Sequence, residues 1–166
     1  AYELERNGEK TDQMISLLEA LTMDKWDVVT LQQASPDSGK PASFSRLTAL
    51  AQMVKEKAKP KKMLWHMTWA YQQNSDHEGF ANYGNNQMTM YNAIVSAVNS
   101  AVLPKQDIKK VIPSGTAVQN LRTSFIGDRL TRDGYHMSYD KGRYVTALTF
   151  AKSLTGCDLT DITYTP

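Results

Sequence analysis

The sequence predicts an α/β protein built on a parallel sheet with helices over both faces. Three observations predict it. Short apolar runs within residues 26–33, 63–71 and 109–113 carry the mark of buried strands. Segments with helical spacing lie before, between and after them. The loops that follow the runs, QQASPDSG, TWAYQQNSDH and PSGTAVQN, are rich in hydrogen-bonding side chains. Parallel strands need long right-handed crossovers, which place helices on the sheet faces. Ligands of such sheets bind beyond the carboxyl ends of the strands, so those loops form the rim where a site is expected.

The elements follow in order. The chain opens on AYELERNGEK, a polar turn-like stretch. Residues 11–21 read as a short helix, capped by Thr11 or Asp12, with Ile15, Leu18 and Leu21 on one face. Val28, Val29 and Leu31 make the first strand, which ends in turn-rich ASPDSGKP. Residues 43–58 return to helical spacing through Phe44, Leu47, Val54 and Ala58. MLWHMTWAY reads as the second strand, followed by a long polar loop. Residues 86–102 are helical, with Tyr91, Ile94, Val95, Val98 and Val102 on one face and Pro104 just beyond. KKVIP is the third strand, and a helical piece lies near residues 116–121. A final helix runs from Tyr139 to Leu154, with Gly156 as its terminator. No repeat, low-complexity tract or linker interrupts residues 1–166, which read as a single domain.

The 166 residues are enough for a hydrophobic core. The formal net charge is +2 with both signs interspersed, so nucleic-acid binding has no electrostatic support. No apolar run approaches the roughly 18 residues of a membrane span. The single Cys157 has no partner for a disulfide and no neighbour at metal-ligand spacing.

The segment TRDGYHMS puts Asp133 three residues ahead of His136, across a turn that Gly134 helps to tighten. A histidine base needs one ring nitrogen free and the other held as a donor, usually by a carboxylate. Asp-x-x-His alone is a weak signal, because a capping aspartate before a surface histidine has the same spacing. Its place, after the last strand and before a C-terminal helix, fits the chain order Ser…Asp…His of some α/β hydrolytic enzymes.

With this segment the chain resembles the SGNH hydrolases, the GDSL-like esterases. It is more closely similar to a branch of that superfamily classed as a domain of unknown function and common in Bacteroides-type gut bacteria. The stretches that carry the likeness are WDVVTLQQASPDSG, HMTWAYQQNSDHEGFANY, NNQMTMYNAI, IPSGTAVQNLRTS and TRDGYHMSYDKGRY. The resemblance implies a flavodoxin-like three-layer α/β/α fold, Asp133 and His136 as catalytic pair, and no metal or other cofactor. It implies an O-acyl ester substrate, small or carried on an acetylated carbohydrate. It also implies export to the periplasm or beyond. The family's serine sits in a Gly-Asp-Ser or Gly-Asn-Ser segment at the end of its first strand, and no such segment occurs here. The chain therefore reads as a C-terminal portion whose N-terminal strands and nucleophile lie upstream. The strand near residues 27–32 would then have an open edge, paired by an upstream segment or by another chain.

Other rim residues follow from position. Gln32 and Gln33 end the first strand where the family places an oxyanion-hole amide, and either could donate to an oxyanion. Trp69, Tyr71 and Asn74 lie in the matched loop, where aromatic faces and amides suit a sugar. Ser35 and Ser114 are the in-chain serines nearest the rim. His66, inside an apolar run, reads as a satisfied core histidine. Asp76, His77 and Glu78 are adjacent and so poorly arranged to share a metal. Met88 and Met90 read as helix packing, and Arg122 and Arg143 as candidates for an acidic substrate group. The competing reading is a non-catalytic carbohydrate-binding or interaction protein on the same scaffold, favoured by the missing serine segment. A nucleotide binder has no Gly-rich phosphate loop to support it.

Overall fold

A computed structural model describes residues 1–166, and at its centre lies a three-stranded parallel sheet. Its strands are β3 (Val28–Leu31), β4 (Lys62–His66) and β5 (Ile108–Ile112), in the order β3-β4-β5. Register runs Val28 opposite Lys62 and Leu31 opposite Trp65, then His66 opposite Ile112. Side chains alternate across a strand, and β4 uses both faces. Met63 and Trp65 join the larger core, where Trp65 meets Phe44 at 5.4 Å between ring centroids. His66 points the other way and meets Phe150 edge-on at 5.3 Å. Helices α2 (Leu47–Lys57) and α3 (Gln87–Ala97) cover the first face. Helix α5 (Lys141–Thr155) covers the second, with α4 (Ser114–Leu121) packed against it. The α/β class with a parallel sheet is thus as the sequence predicts. No helix is long and apolar enough to cross a membrane.

The N-terminal reading needs correction. Residues 1–15 form a β-hairpin, β1 (Tyr2–Arg6) against β2 (Glu9–Ile15), rather than a turn followed by a helix. Asn7 and Gly8 both take positive φ, 53° and 84°, which is what a two-residue hairpin turn requires. The Asn-Gly pair was the visible signal. Helix α1 is only Leu17–Thr22, and its cap is Ser16, not Thr11 or Asp12. Ser16 Oγ accepts from the Glu19 N–H at 3.1 Å, and Glu19 Oε2 accepts from the Ser16 N–H at 2.7 Å. Ser-x-x-Glu is a reciprocal capping box, which outcompetes the weaker caps upstream.

The second strand stops earlier than its apolar run. Residues 67–71, all buried but the half-buried Trp69, leave the ladder because β5 ends at Ile112 and Pro113 has no N–H to extend it. Met67 donates to the Ile112 carbonyl at 3.0 Å, and Gly115 donates to the Met67 carbonyl at 3.1 Å. This crossing brings α4 onto the end of β4. A Cβ at position 115 would collide with the Thr68 carbonyl oxygen. The segment predicted as one helix over 43–58 is a 3₁₀ turn, Pro41–Phe44, followed by α2. Helix α3 ends in a π-turn at Val98–Val102, and Gly156, at φ 73°, closes α5.

Gly115→Ala should lower the thermal midpoint by several degrees or more, because the obstacle is backbone rather than a side chain that can move. A melt followed by circular dichroism checks this, and an unchanged midpoint contradicts the close crossing.

Candidate active site

The carboxyl ends of β3, β4 and β5 lie on one edge, and the turn at 131–137 sits beside them. That turn is built by short-range bonds. Thr131 and Met137 form an antiparallel bridge, and Arg132 donates to the His136 carbonyl at 2.9 Å. Gly134, at φ 88°, takes the left-handed position, with Ser75 packed where a side chain would go.

Asp133 Oδ1 accepts from the backbone N–H groups of Tyr135 and His136, at 3.2 and 2.8 Å. Its Oδ2 lies 2.6 Å from His136 Nδ1. The carboxylate thus fixes Nδ1 as the protonated nitrogen and leaves Nε2 as the free one. Nε2 has no hydrogen-bond partner, and the His136 side chain is 52% exposed. Partial desolvation pushes the Asp133 carboxyl up. The His136 ring and the two N–H bonds outweigh it, so the group falls to about 2. It is therefore an anion at every pH where an imidazole base operates.

Two bonds from the loop after β4 aim this turn. Trp69 Nε1 donates to the Tyr135 carbonyl at 2.7 Å, and the Gln72 N–H donates to the Gly134 carbonyl at 2.8 Å. Trp69 thus serves as an anchor with its indole N–H already engaged. Tyr135 packs against Tyr71, His77 and His136, with ring centroids 5.7, 4.6 and 4.2 Å away. His77 Nδ1 accepts from the Gly79 N–H at 2.9 Å, so its ring belongs to the loop. Asn74 Oδ1 accepts from Gln72 Nε2 at 2.7 Å. Asn74 lines a polar cleft of about 290 Å³ with Ser75, Thr131, Arg132 and Asp133.

The two glutamines part company. Gln33 Nε2 donates to the carbonyl and the hydroxyl of Ser43, at 3.1 and 2.9 Å, so its amide is committed to its own loop. Gln32 Oε1 lies 2.7 Å from His66 Nδ1, and its Nε2 has no partner. His66 is not the core residue the sequence suggested. It sits half-buried at the rim, with Nε2 2.9 Å from Ser114 Oγ. It is the last residue of β4, a boundary that no local feature of the sequence marks. Burial pushes its pKa below the ordinary histidine value, so it stays neutral around pH 7. Neither Ser35 nor Ser114 hydrogen-bonds His136. Ser35 Oγ is 2.9 Å from the Tyr71 hydroxyl, and Ser114 is fully buried beside His66.

Arg122 is likewise interior, with 4% of its side chain exposed, and not a surface contact for substrate. Its Nε lies 2.8 Å from Asp128 Oδ1, and its Nη2 donates to the Ala70 carbonyl at 3.0 Å. Arg143 lies over the exposed Tyr139 ring at 4.5 Å.

A family model described as a domain of unknown function, DUF4886, matches residues 3–166. A crystal structure of a DUF4886 family protein from Bacteroides uniformis superposes with a TM-score of 0.87 at 45% identity. The match covers 98% of this chain and 63% of that one, so this chain spans less than two thirds of its relative's length. A candidate SGNH hydrolase from Slackia heliotrinireducens superposes with a TM-score of 0.52 at 19% identity, covering 81% of this chain and 69% of that one. At that identity the likeness carries the fold alone, an α/β arrangement of SGNH type. No curated protein matches the chain.

Two outcomes follow. The Asp133 carboxyl, followed by carbon NMR, should titrate near pH 2 rather than near the ordinary 4. Its bonds in the turn are then fully present above about pH 4 and are lost as pH falls through the lower value. Asp128→Ala should destabilise the protein by about 3 kcal/mol, because it leaves the Arg122 charge buried and unpaired. Urea denaturation measures that loss.

Proposed function

The chain belongs to the DUF4886 family, and on that footing we propose that it carries the acid–base half of a serine esterase of SGNH type. The nucleophile is a serine outside these 166 residues, brought to the open side of β3, the edge strand of the sheet. The substrate is an O-acyl ester, with acetyl groups on a carbohydrate as the favoured case. The observation that carries the reading is the pairing of Asp133 Oδ2 with His136 Nδ1 at 2.6 Å, with Nε2 unpartnered and half exposed.

The chemistry follows from that arrangement. The serine Oγ attacks the acyl carbonyl carbon, and its proton passes to His136 Nε2. Asp133 holds the imidazolium by the Nδ1–H. The oxyanion takes a hydrogen bond from the unpartnered amide of Gln32. As the intermediate collapses, the ester C–O bond breaks and the leaving alcohol takes the proton from Nε2. Water then repeats the sequence on the acyl-enzyme and releases the acid. The polar cleft bounded by Asn74, Ser75 and Arg132 suits a hydroxyl-rich leaving group. The second reading is a glycan-binding protein on the same scaffold, and the absence of a serine bonded to His136 favours it.

A fluorophosphonate probe separates the two on the full-length protein. Labelling is expected in the wild type and lost in a folded His136→Ala variant. That variant should turn over p-nitrophenyl acetate about 10⁴-fold more slowly or worse. A folded wild-type protein that takes no label refutes the hydrolase reading.

A further inference from the structure

Gln32, His66 and Ser114 form a row across all three strands at their carboxyl edge. The register explains it. Leu31 lies opposite Trp65, so Gln32 is level with His66 and shares its face. Ile112 lies opposite His66, and Ser114, two residues on, returns to that face as the first residue of α4. Gln32 Oε1 is 2.7 Å from His66 Nδ1, and His66 Nε2 is 2.9 Å from Ser114 Oγ.

With the Gln32 oxygen turned to His66, the donors in this row have one consistent assignment. An amide oxygen only accepts, so Nδ1 carries the proton. Nε2 then holds a lone pair, and the Ser114 O–H must donate to it. Ser114 is 0% exposed, so its hydroxyl has no solvent to turn to. Phe150 meets the ring edge-on, and Trp69 stands 6.3 Å away. His66 is therefore fixed in tautomer and in orientation. It holds Gln32 by the oxygen and leaves the amide nitrogen turned away from the row.

A serine on Nε2 with an amide on Nδ1 is also the pattern of a nucleophile and its base. Burial decides against that role, since a fully enclosed Ser114 leaves no space for an acyl group. We propose instead that His66, locked by Ser114, is the positioning residue that aims the Gln32 amide N–H at the oxyanion. The inference rests on the hydrolase reading above and adds to it residues that never touch substrate.

The test is a double-mutant cycle on the full-length protein. Gln32→Ala removes the donor and should lower kcat by about 10²-fold. His66→Phe keeps a ring of similar shape but deletes both bonds, and should lower kcat by about 10-fold or more, with KM within about 2-fold. In the Gln32→Ala background, His66→Phe should slow the enzyme no further, because the group it aims is gone. A purely structural role gives multiplied losses and overturns the proposal. Ser114→Ala unlocks the ring without altering it, and should couple to Gln32→Ala in the same way. It serves if His66→Phe fails to fold. Nitrogen NMR of His66 should show the Nδ1–H tautomer, and an Nε2–H tautomer also overturns it. Turnover that needs His136 but ignores His66→Phe removes this inference and leaves the hydrolase reading intact. A wild type with neither label nor turnover removes both.

Discussion

The Arg122–Asp128 ion pair is the constraint on which the site depends. Residues 67–71 pass through the interior and 72–73 lead out of it, none of them in a helix or strand, and Ala70 and Tyr71 are completely buried. Backbone amides in such a place must find partners or carry a heavy desolvation cost. Arg122 takes the Ala70 carbonyl, while Asp128 Oδ2 takes the Gln73 N–H at 2.8 Å and Gln87 Nε2 at 2.8 Å. Gln87 Nε2 in turn reaches the Tyr71 carbonyl at 3.1 Å. One charge pair, its arginine buried and its aspartate partly so, thus stands in for a missing sheet ladder. An apolar pair of equal volume would pack there, but it would leave the loop's carbonyls and amides without partners.

The loop so fixed does two things for the rim. It supplies Trp69 and Gln72, which grip the carbonyls of Tyr135 and Gly134. It also separates two cores. The larger one lies on the Trp65 face, and a smaller cluster of Val118, Leu130 and Met137 sits under the Asp133–His136 turn. The turn is therefore anchored from below by apolar packing and from the side by hydrogen bonds. The His136 ring stays open to solvent, along with Arg132 and Asp133.

Much of this was legible in the sequence. Short apolar runs gave the three strands because a sheet covered on both faces leaves no polar alternation. Asp133 and His136 were legible because their relation is local. The hairpin was hidden by its own strands, whose exposed residues alternate too weakly to outvote the helical spacing of Ile15, Leu18 and Leu21. The rim position of His66 was hidden for a different reason. Nothing local separates a histidine inside a strand from one at its last residue, and the end of β4 is set by Pro113, nearly fifty positions away. Gln32 and Gln33 were indistinguishable for the same reason, since Ser43 and His66 decide which amide stays free.

The turn from Thr131 to Met137 has one more consequence. Its internal bonds all join residues no more than six apart, so almost no chain has to be gathered before they form. The carboxylate and the imidazole find each other through local geometry, and the remainder of the fold only tilts and seats them. A unit of that kind behaves as a cassette. Its closure costs little chain entropy and does not depend on the length of distant loops. It can also ride on sheets whose other edges have diverged, so the carboxylate–imidazole contact can persist while the strands around it change.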